Sequence, residues 1–281
     1  MKKRVNMIVV FLIAMLLTGC TSASTKTTNK ITKEKIKMNI PTVFLHGYSG
    51  NVRTMGTMIN EIEKQDIAEE EMTIKVSNEG ELTVETEIEG AFKNNNPMIN
   101  LVFENSKSDQ WHQAEWIKVA LSYLKENHGV EEVNLVGFSM GGISSFLYIE
   151  TFSGEENLPV VKKLVAIGSP FNEFLEITDQ SEESIIQDGP KVLSEQLANY
   201  TQLIANVPKE TSFLLIGGEL SEENSSDGTV PLHSSLGILS LLEKNNVLVN
   251  YKKITGKKGK HSYLKKNQEV IKETQHFIWE N

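Results

Sequence analysis

The sequence predicts a protein of the α/β class, in which strands and helices alternate along the chain. From Ile40 onward, short apolar runs that suit buried strands alternate with longer stretches whose apolar residues recur at helical spacing. One apolar run, residues 133–138, leads through a serine flanked by glycines into a stretch that begins with small residues. The length of 281 residues allows one large core, and we expect a single domain over residues 38–281.

The periodicity gives the expected order of the elements. Strands are expected at residues 42–45, 99–104, 133–138, 163–167, 213–216 and 247–251, with two more within 72–88 around the turn Asn78-Glu79-Gly80. Helices are expected at residues 51–64, 109–127, 141–150, 234–243 and 263–280. Between Pro170 and Ser212 the alternation breaks, and apolar residues spaced by three and four predict a helix that begins near Pro190. We therefore expect an insertion at about residues 171–211.

The composition excludes several functional classes. The chain has 28 Lys and Arg against 37 Asp and Glu, with a formal net charge of -9, which excludes a generally basic nucleic-acid-binding protein. The single cysteine excludes an internal disulfide framework and any cysteine-rich metal site.

The amino terminus has the pattern of a secretory signal. Basic residues at positions 2–4 precede an apolar run over 7–17, which is shorter than the roughly 20 residues that a membrane span needs. The sequence Leu-Thr-Gly-Cys that ends at Cys20 resembles the lipobox of bacterial lipoproteins. This resemblance implies that residues 1–19 are removed and that Cys20 is lipidated on the extracytoplasmic face of the cell membrane. An uncleaved amphiphilic terminus is the alternative. Residues 20–37 then form a flexible tether rich in Ser, Thr and Lys.

Residues 137–141 read Gly-Phe-Ser-Met-Gly, which fits the pattern G-x-S-x-G. In this pattern the serine occupies a sharp turn, and the glycines two residues on either side let the strand and the helix pass closely. The helix amino terminus also favours negative charge that develops beside it. A phosphate-binding loop or a plain turn is the alternative. The strand before the pattern and the helix after it favour Ser139 as a nucleophile.

A serine nucleophile needs a base, and the base needs an acid that orients it. In this architecture the acid and then the histidine follow the serine along the chain. Asp227 comes just after the strand expected at 213–216 and is the favoured acid. The competing acids in the same loop are Glu219, Glu222 and Glu223.

Three histidines follow the favoured acid. His261 lies in a Gly-rich loop after the last expected strand, so it is the favoured base. His233 lies close to Asp227 in the chain and opens a helix, and His276 lies deep in the final helix. Both are therefore poorer candidates.

The negative oxygen that forms during acyl transfer needs two backbone N–H donors. We expect one donor from Met140, the residue after the nucleophile, and the other from Tyr48 in the loop after strand 42–45. His46, in the same loop, is expected to have a structural role.

Together these motifs resemble the α/β-hydrolase superfamily, and in particular the lipase-like cell-surface hydrolases of low-GC Gram-positive bacteria. The resemblance covers about residues 38–281 and rests on FLHGYSGN (44–51), GFSMGG (137–142), SDGTVP (226–231) and HSYLKKN (261–267). It implies a mostly parallel sheet with helices on both faces and a helical cap insertion. It also implies a triad of Ser139, Asp227 and His261, with Tyr48 and Met140 as oxyanion donors. Phe138 departs from the pattern, because many relatives have histidine there.

The resemblance further implies that the chain hydrolyses a small-molecule or lipid ester through an acyl-enzyme, with no metal and no organic cofactor. Thioester or amide cleavage by the same triad is one alternative, because the fold does not select the leaving group. A non-catalytic surface-binding protein that retains the fold is the other.

Lysines cluster around His261 with no acid between them: Lys252, Lys253, Lys257, Lys258, Lys260, Lys265 and Lys266. Our hypothesis is that the mouth of the site is positive and prefers anionic envelope substrates or the lipid surface. A solvated face is the alternative interpretation.

Overall fold

The computed structural model describes residues 40–86, 89–92, 95–177, 180–223 and 225–280. The signal peptide expected at 1–19, the lipidated Cys20 and the tether expected at 20–37 lie outside these residues. Within the described ranges, no helix combines the length and the apolar character needed to cross a membrane.

A single sheet of eight strands forms the centre of the described chain. Its order is β3-β2-β4-β1-β5-β6-β7-β8, and every neighbouring pair is parallel except β2 and β3. The strands are β1 (Thr42–Leu45), β2 (Glu69–Val76), β3 (Leu82–Val84), β4 (Pro97–Phe103), β5 (Glu132–Phe138), β6 (Val160–Ile167), β7 (Ser212–Glu219) and β8 (Val249–Thr255). The antiparallel β2–β3 pair is the hairpin expected within residues 72–88.

Nine α-helices connect and cover the strands in the described ranges. They are α1 (Val52–Glu63), α2 (Gln110–His128), α3 (Met140–Phe152), α4 (Glu182–Asp188), α5 (Glu195–Leu203), α6 (Leu232–Ser235), α7 (Leu239–Lys244), α8 (His261–Leu264) and α9 (Gln268–Gln275). A short 3₁₀ turn follows α5, another precedes α8, and a π-helical turn follows α9.

Local capping explains where the two long outer helices begin and end. The Asn51 side chain accepts a hydrogen bond from the Arg53 N–H and forms a capping box with Thr54 at the start of α1. The Asp109 side chain accepts two backbone N–H groups at the start of α2. Gly129 ends α2 in the left-handed conformation, with φ 65°.

Alternate residues of the central strands point to opposite faces of the sheet, and helices cover both faces. On one face, Phe44 and Val136 pack with the apolar sides of α1 and α9. On the other face, Val43 and Leu135 pack with α2, α3, α5 and the residues around α6 and α7. The predicted α/β class, with a mostly parallel sheet and helices on both faces, is therefore confirmed.

Three helices differ from the sequence-based expectation. The helix expected at 263–280 is interrupted after Leu264, because the Asn267 side chain caps a new helix instead. The helix expected at 234–243 is two short helices, α6 and α7. The helix expected to begin near Pro190 begins at Glu195, where the Ser194 side chain accepts the Leu197 N–H.

The insertion expected at 171–211 contributes to the main core through α5. Leu197 and Tyr200 are buried with Phe146 of α3 and Phe171, and the three aromatic rings meet edge to face. The Tyr200 hydroxyl donates a hydrogen bond to the Gln110 side chain, 2.7 Å away. The amphipathic face of α5 thus covers the core.

The carboxyl group of Glu150 in α3 is buried, and neither of its oxygens has a hydrogen-bond partner among the residues that the structure describes. Burial raises the pKa of Glu150 from 4.5 to about 9. The folded chain therefore keeps this proton over a pH range in which the unfolded chain has lost it. The stability that the protonated Glu150 provides relative to the ionised side chain is fully present below about pH 4.5, and it is lost as the pH rises towards 9.

We expect Glu150→Gln to become more stable than the wild type as the pH rises through this window. The difference in the free energy of unfolding should grow by about 1.4 kcal/mol per pH unit. Urea unfolding at several pH values measures it, with the exposed Glu156→Gln as the control. Parallel stability curves for Glu150→Gln and the wild type would show that the buried carboxyl does not titrate in this way.

Candidate active site

Ser139 lies at the sharp turn between β5 and α3. Its backbone has φ 54° and ψ -121°, a strained conformation for a residue with a side chain. The Ser139 N–H donates to the Ile167 carbonyl, 2.8 Å away, which ties the turn to β6. A Cβ on Gly137 would lie 2.5 Å from the backbone of Gly141, so only glycine fits there. The close passage of strand and helix is the one that the sequence predicts.

His261 reaches Ser139 from the far end of the chain. It follows β8 and a short 3₁₀ turn, and it opens α8. Its Nε2 lies 3.2 Å from the Ser139 Oγ. A serine hydroxyl and an imidazole at this distance can share a proton, which is the first requirement for an activated serine.

Asp227 holds the other side of the imidazole and is fully buried. Its Oδ2 lies 2.6 Å from the His261 Nδ1, and its Oδ1 accepts hydrogen bonds from the backbone N–H groups of Thr229 and Val230. The Asp227 carbonyl also accepts the His261 backbone N–H. These bonds fix the carboxylate so that Nδ1 carries a proton and Nε2 is free to accept one.

The competing acids and histidines occupy other positions. Glu219 pairs with Lys253 and accepts a hydrogen bond from Ser225. His276 is exposed and contacts Glu280. His233 is buried at the start of α6, and its Nδ1 has no partner within the described ranges. Of the three histidines, His261 alone is hydrogen-bonded to Ser139 among the residues that the structure describes.

The loop after β1 packs against Ser139. A Cβ on Gly47 would lie 2.8 Å from the Ser139 Cβ, so the backbone before Tyr48 touches the serine. Met140 is the first residue of α3, a position whose N–H has no partner inside a helix. In the described chain, neither the Tyr48 nor the Met140 N–H makes a backbone hydrogen bond. Both are therefore free to donate to another oxygen.

His46 supports this loop, and within the described ranges its ring makes no hydrogen bond to Ser139, Asp227 or His261. Its Nδ1 lies 2.8 Å from the Gly47 carbonyl, and its Nε2 accepts the Phe103 backbone N–H. Burial lowers the pKa of His46, although its hydrogen bond to the Gly47 carbonyl opposes that shift. A neutral imidazole that joins β1 to β4 in this way agrees with the structural role expected for it.

Sequence reasoning missed Gly168, which lies directly behind the Asp227–His261 pair. Its φ is 57°, and a Cβ there would lie 3.2 Å from the His261 Nδ1 and 3.3 Å from the Asp227 Oδ2. Glycine at this position leaves room for the imidazole and the carboxylate to meet. The available signal was Gly-Ser-Pro at the end of β6, at the edge where loops of a parallel sheet form sites.

A cavity of about 1400 Å³ lies beside the triad, at the carboxyl ends of β7 and β8. Its wall includes Ser226, Gly228 and Thr229 of the Asp227 loop, but not Ser139 or His261. The candidate active site is therefore defined by the hydrogen bonds among Asp227, His261 and Ser139, and not by this cavity. Among the described residues, no group of three or more His, Cys, Asp and Glu side chains is arranged to hold a metal ion.

Comparison with known proteins gives the family. Residues 29–281 match the family described as alpha/beta hydrolase of unknown function (DUF915). The chain belongs to this family. The predicted α/β-hydrolase fold is thereby confirmed. A comparison with curated proteins found no match.

Solved structures of bacterial proteins share the fold of this α/β hydrolase. A gene product of Listeria innocua is 28% identical, with a TM-score of 0.76 over 85% of this chain and 93% of that one. A Lactobacillus plantarum protein described as a cell surface hydrolase is 20% identical, with a TM-score of 0.68 over 86% of this chain and 92% of that one. The similarity to the Lactobacillus plantarum protein is evidence for the fold alone and not for a shared activity.

Proposed function

We propose that this α/β hydrolase cleaves carboxylic esters through Ser139, His261 and Asp227. The observation that carries the proposal is the chain of two hydrogen bonds from Asp227 through His261 to Ser139. The strained turn at Ser139 and its place at the start of α3 add support, because both are typical of activated serines.

In the proposed reaction, the Ser139 Oγ attacks the ester carbonyl carbon while His261 Nε2 takes the hydroxyl proton. The oxygen of the tetrahedral intermediate accepts hydrogen bonds from the Tyr48 and Met140 N–H groups. When the carbon–oxygen bond breaks, His261 returns the proton to the departing alcohol and an acyl-Ser139 ester remains. Water then attacks this ester with His261 as the base, which releases the acid and restores the serine.

The test of this proposal is turnover of p-nitrophenyl esters of graded acyl length by the full-length protein in detergent. Matched thioester and anilide substrates run beside them, since the same triad serves all three leaving groups. We expect faster turnover of the oxygen esters. A preference for the thioester or the anilide would reassign the substrate class, and no turnover of any substrate would favour a binding protein that retains the fold.

We also propose that the mature protein begins at Cys20 and is held by a lipid anchor on the extracytoplasmic face of a bacterial membrane. The basic residues at 2–4, the apolar run at 7–17 and the Leu-Thr-Gly-Cys sequence support this location.

If Cys20 carries the anchor, Cys20→Ala should move the protein out of the lipid phase. In cells fed a radiolabelled fatty acid, we expect the wild type to incorporate label and partition into detergent on phase separation, and the variant to do neither. Ser22→Ala, a change beside the anchor site, should behave as the wild type. Equal labelling of the wild type and Cys20→Ala would contradict the anchor.

A further inference from the structure

The lysines around His261 fall into two groups that differ in their partners. Lys252 pairs with Glu269 and Glu273, and Lys253 pairs with Glu182 and Glu219. In the part of the chain that the structure describes, the other five form no ion pair: Lys257, Lys258, Lys260, Lys265 and Lys266. The positive charge that remains unneutralised therefore belongs to the loop and helix that carry His261.

Lys265 is connected to the reactive centre through the ring of Phe138. Its Nζ lies 4.6 Å from the centre of the Phe138 ring, in a cation–π contact. The same ring lies 4.8 Å from the His261 imidazole, and Phe138 is the residue before the nucleophile. Since the two contacts share one ring, the Lys265 ammonium is within about 10 Å of the imidazole.

The environment of Lys265 differs from that of an ordinary surface lysine. The side chain is half-buried directly after α8, and no carboxylate in the described ranges neutralises it. Burial lowers the pKa of the Lys265 ammonium, and the neighbouring charge of Lys266 lowers it further. An ammonium held partly out of water without a counter-ion gains most from an anion that arrives with a ligand.

We propose that Lys265 is a specificity residue that binds an anionic group of the substrate, such as a carboxylate or phosphate near the scissile ester. This inference rests on the proposed ester hydrolysis and names its substrate class. Phe138 holds the ammonium beside the site, and the exposed Lys257, Lys258 and Lys260 add a favourable field around it. The half-burial of Lys265 favours a substrate group over a flat lipid surface, which would engage the exposed lysines first.

The test compares esters that differ in one charge. Mono-p-nitrophenyl succinate and p-nitrophenyl butyrate differ on the acyl side, whereas 4-acetoxybenzoate and its methyl ester differ on the leaving-group side. In at least one pair, we expect Lys265→Gln to raise KM for the anionic member about 10-fold or more, with kcat nearly unchanged. KM for the neutral member should stay within about 2-fold, and Lys265→Arg should restore anionic binding.

Lys252→Gln is the matched control, because it removes the same charge from a lysine that carboxylates already neutralise. It should leave both members of each pair unchanged. If Lys265→Gln affects the anionic and neutral esters equally, Lys265 only supports the Phe138 ring and the inference is overturned. That result would leave ester hydrolysis standing, whereas a wild type that hydrolyses none of the four esters would contradict the proposed function itself.

Discussion

Ser139→Ala is expected to abolish ester hydrolysis while the fold remains intact. Removal of the nucleophile from a triad lowers kcat by about 10⁴- to 10⁶-fold, because the remaining groups cannot form the acyl-enzyme. Among the residues that the structure describes, the only hydrogen bond of the Ser139 hydroxyl is the one to His261, so its removal leaves the other hydrogen bonds of the fold in place. Initial rates on the best p-nitrophenyl ester, with circular dichroism and thermal unfolding of both proteins, measure the effect.

Ser262→Ala provides the matched control for this loss. Ser262 is exposed and lies directly after His261, so the change removes a nearby hydroxyl without touching the proposed nucleophile. We expect its rates to equal those of the wild type. A Ser139→Ala protein that retains even a tenth of the wild-type kcat would place the nucleophile elsewhere.

Asp227→Asn is expected to lower kcat by about 10⁴-fold, again without unfolding the protein. The amide oxygen can still accept the Thr229 and Val230 N–H groups that now bind Oδ1. The amide nitrogen, however, would donate to His261 Nδ1, where the carboxylate now accepts. The imidazole would then carry its proton on Nε2 and could not take the proton of Ser139.

The control for Asp227→Asn is Glu222→Gln, which removes one carboxylate from the same loop. Glu222 is exposed and is one of the acids that the sequence left as a competitor. We expect Glu222→Gln to keep the wild-type kcat. Similar losses in both variants would show that charge in the loop matters, and not the orientation of His261.

The fold class and the order of the site residues could be predicted from the sequence because both depend on local patterns. The buried strands are apolar on both faces, so β1, β5 and β7 are visible as short apolar runs. The strand–glycine–serine–glycine–helix succession at 137–141 is equally local. The acid and the base follow from chain order once the nucleophile is assigned.

The edge strand β8 and the final helix were harder to predict, because contacts with side chains that lie outside the local apolar pattern determine their bounds. The last strand, β8, runs from Val249 to Thr255 and not from 247 to 251, since its Lys252 and Lys253 are stabilised by carboxylates of other segments. The charged side chains of these two lysines interrupt the apolar pattern from which a strand is predicted. The interruption of the final helix at Asn267 depends on a side-chain cap that periodicity alone does not reveal.

The site contains two features that no local pattern shows. Gly168 lies behind the Asp227–His261 pair only because β6 ends beside β7 in the folded sheet. The contact between Phe138 and Lys265 joins residues from the nucleophile turn and the end of α8. Sequence reasoning noted that Phe138 replaces histidine and that lysines cluster near His261, but it could not join the two observations.

The central claim is that Ser139 is a nucleophile activated by His261, and covalent labelling tests it most directly. A fluorophosphonate forms a stable bond only with a serine whose hydroxyl proton is taken by a base. After labelling of the full-length protein, digestion and mass spectrometry should find the adduct on Ser139, no adduct in Ser139→Ala, and far less in His261→Ala. A wild type that does not label, or an adduct on another serine, would contradict the claim.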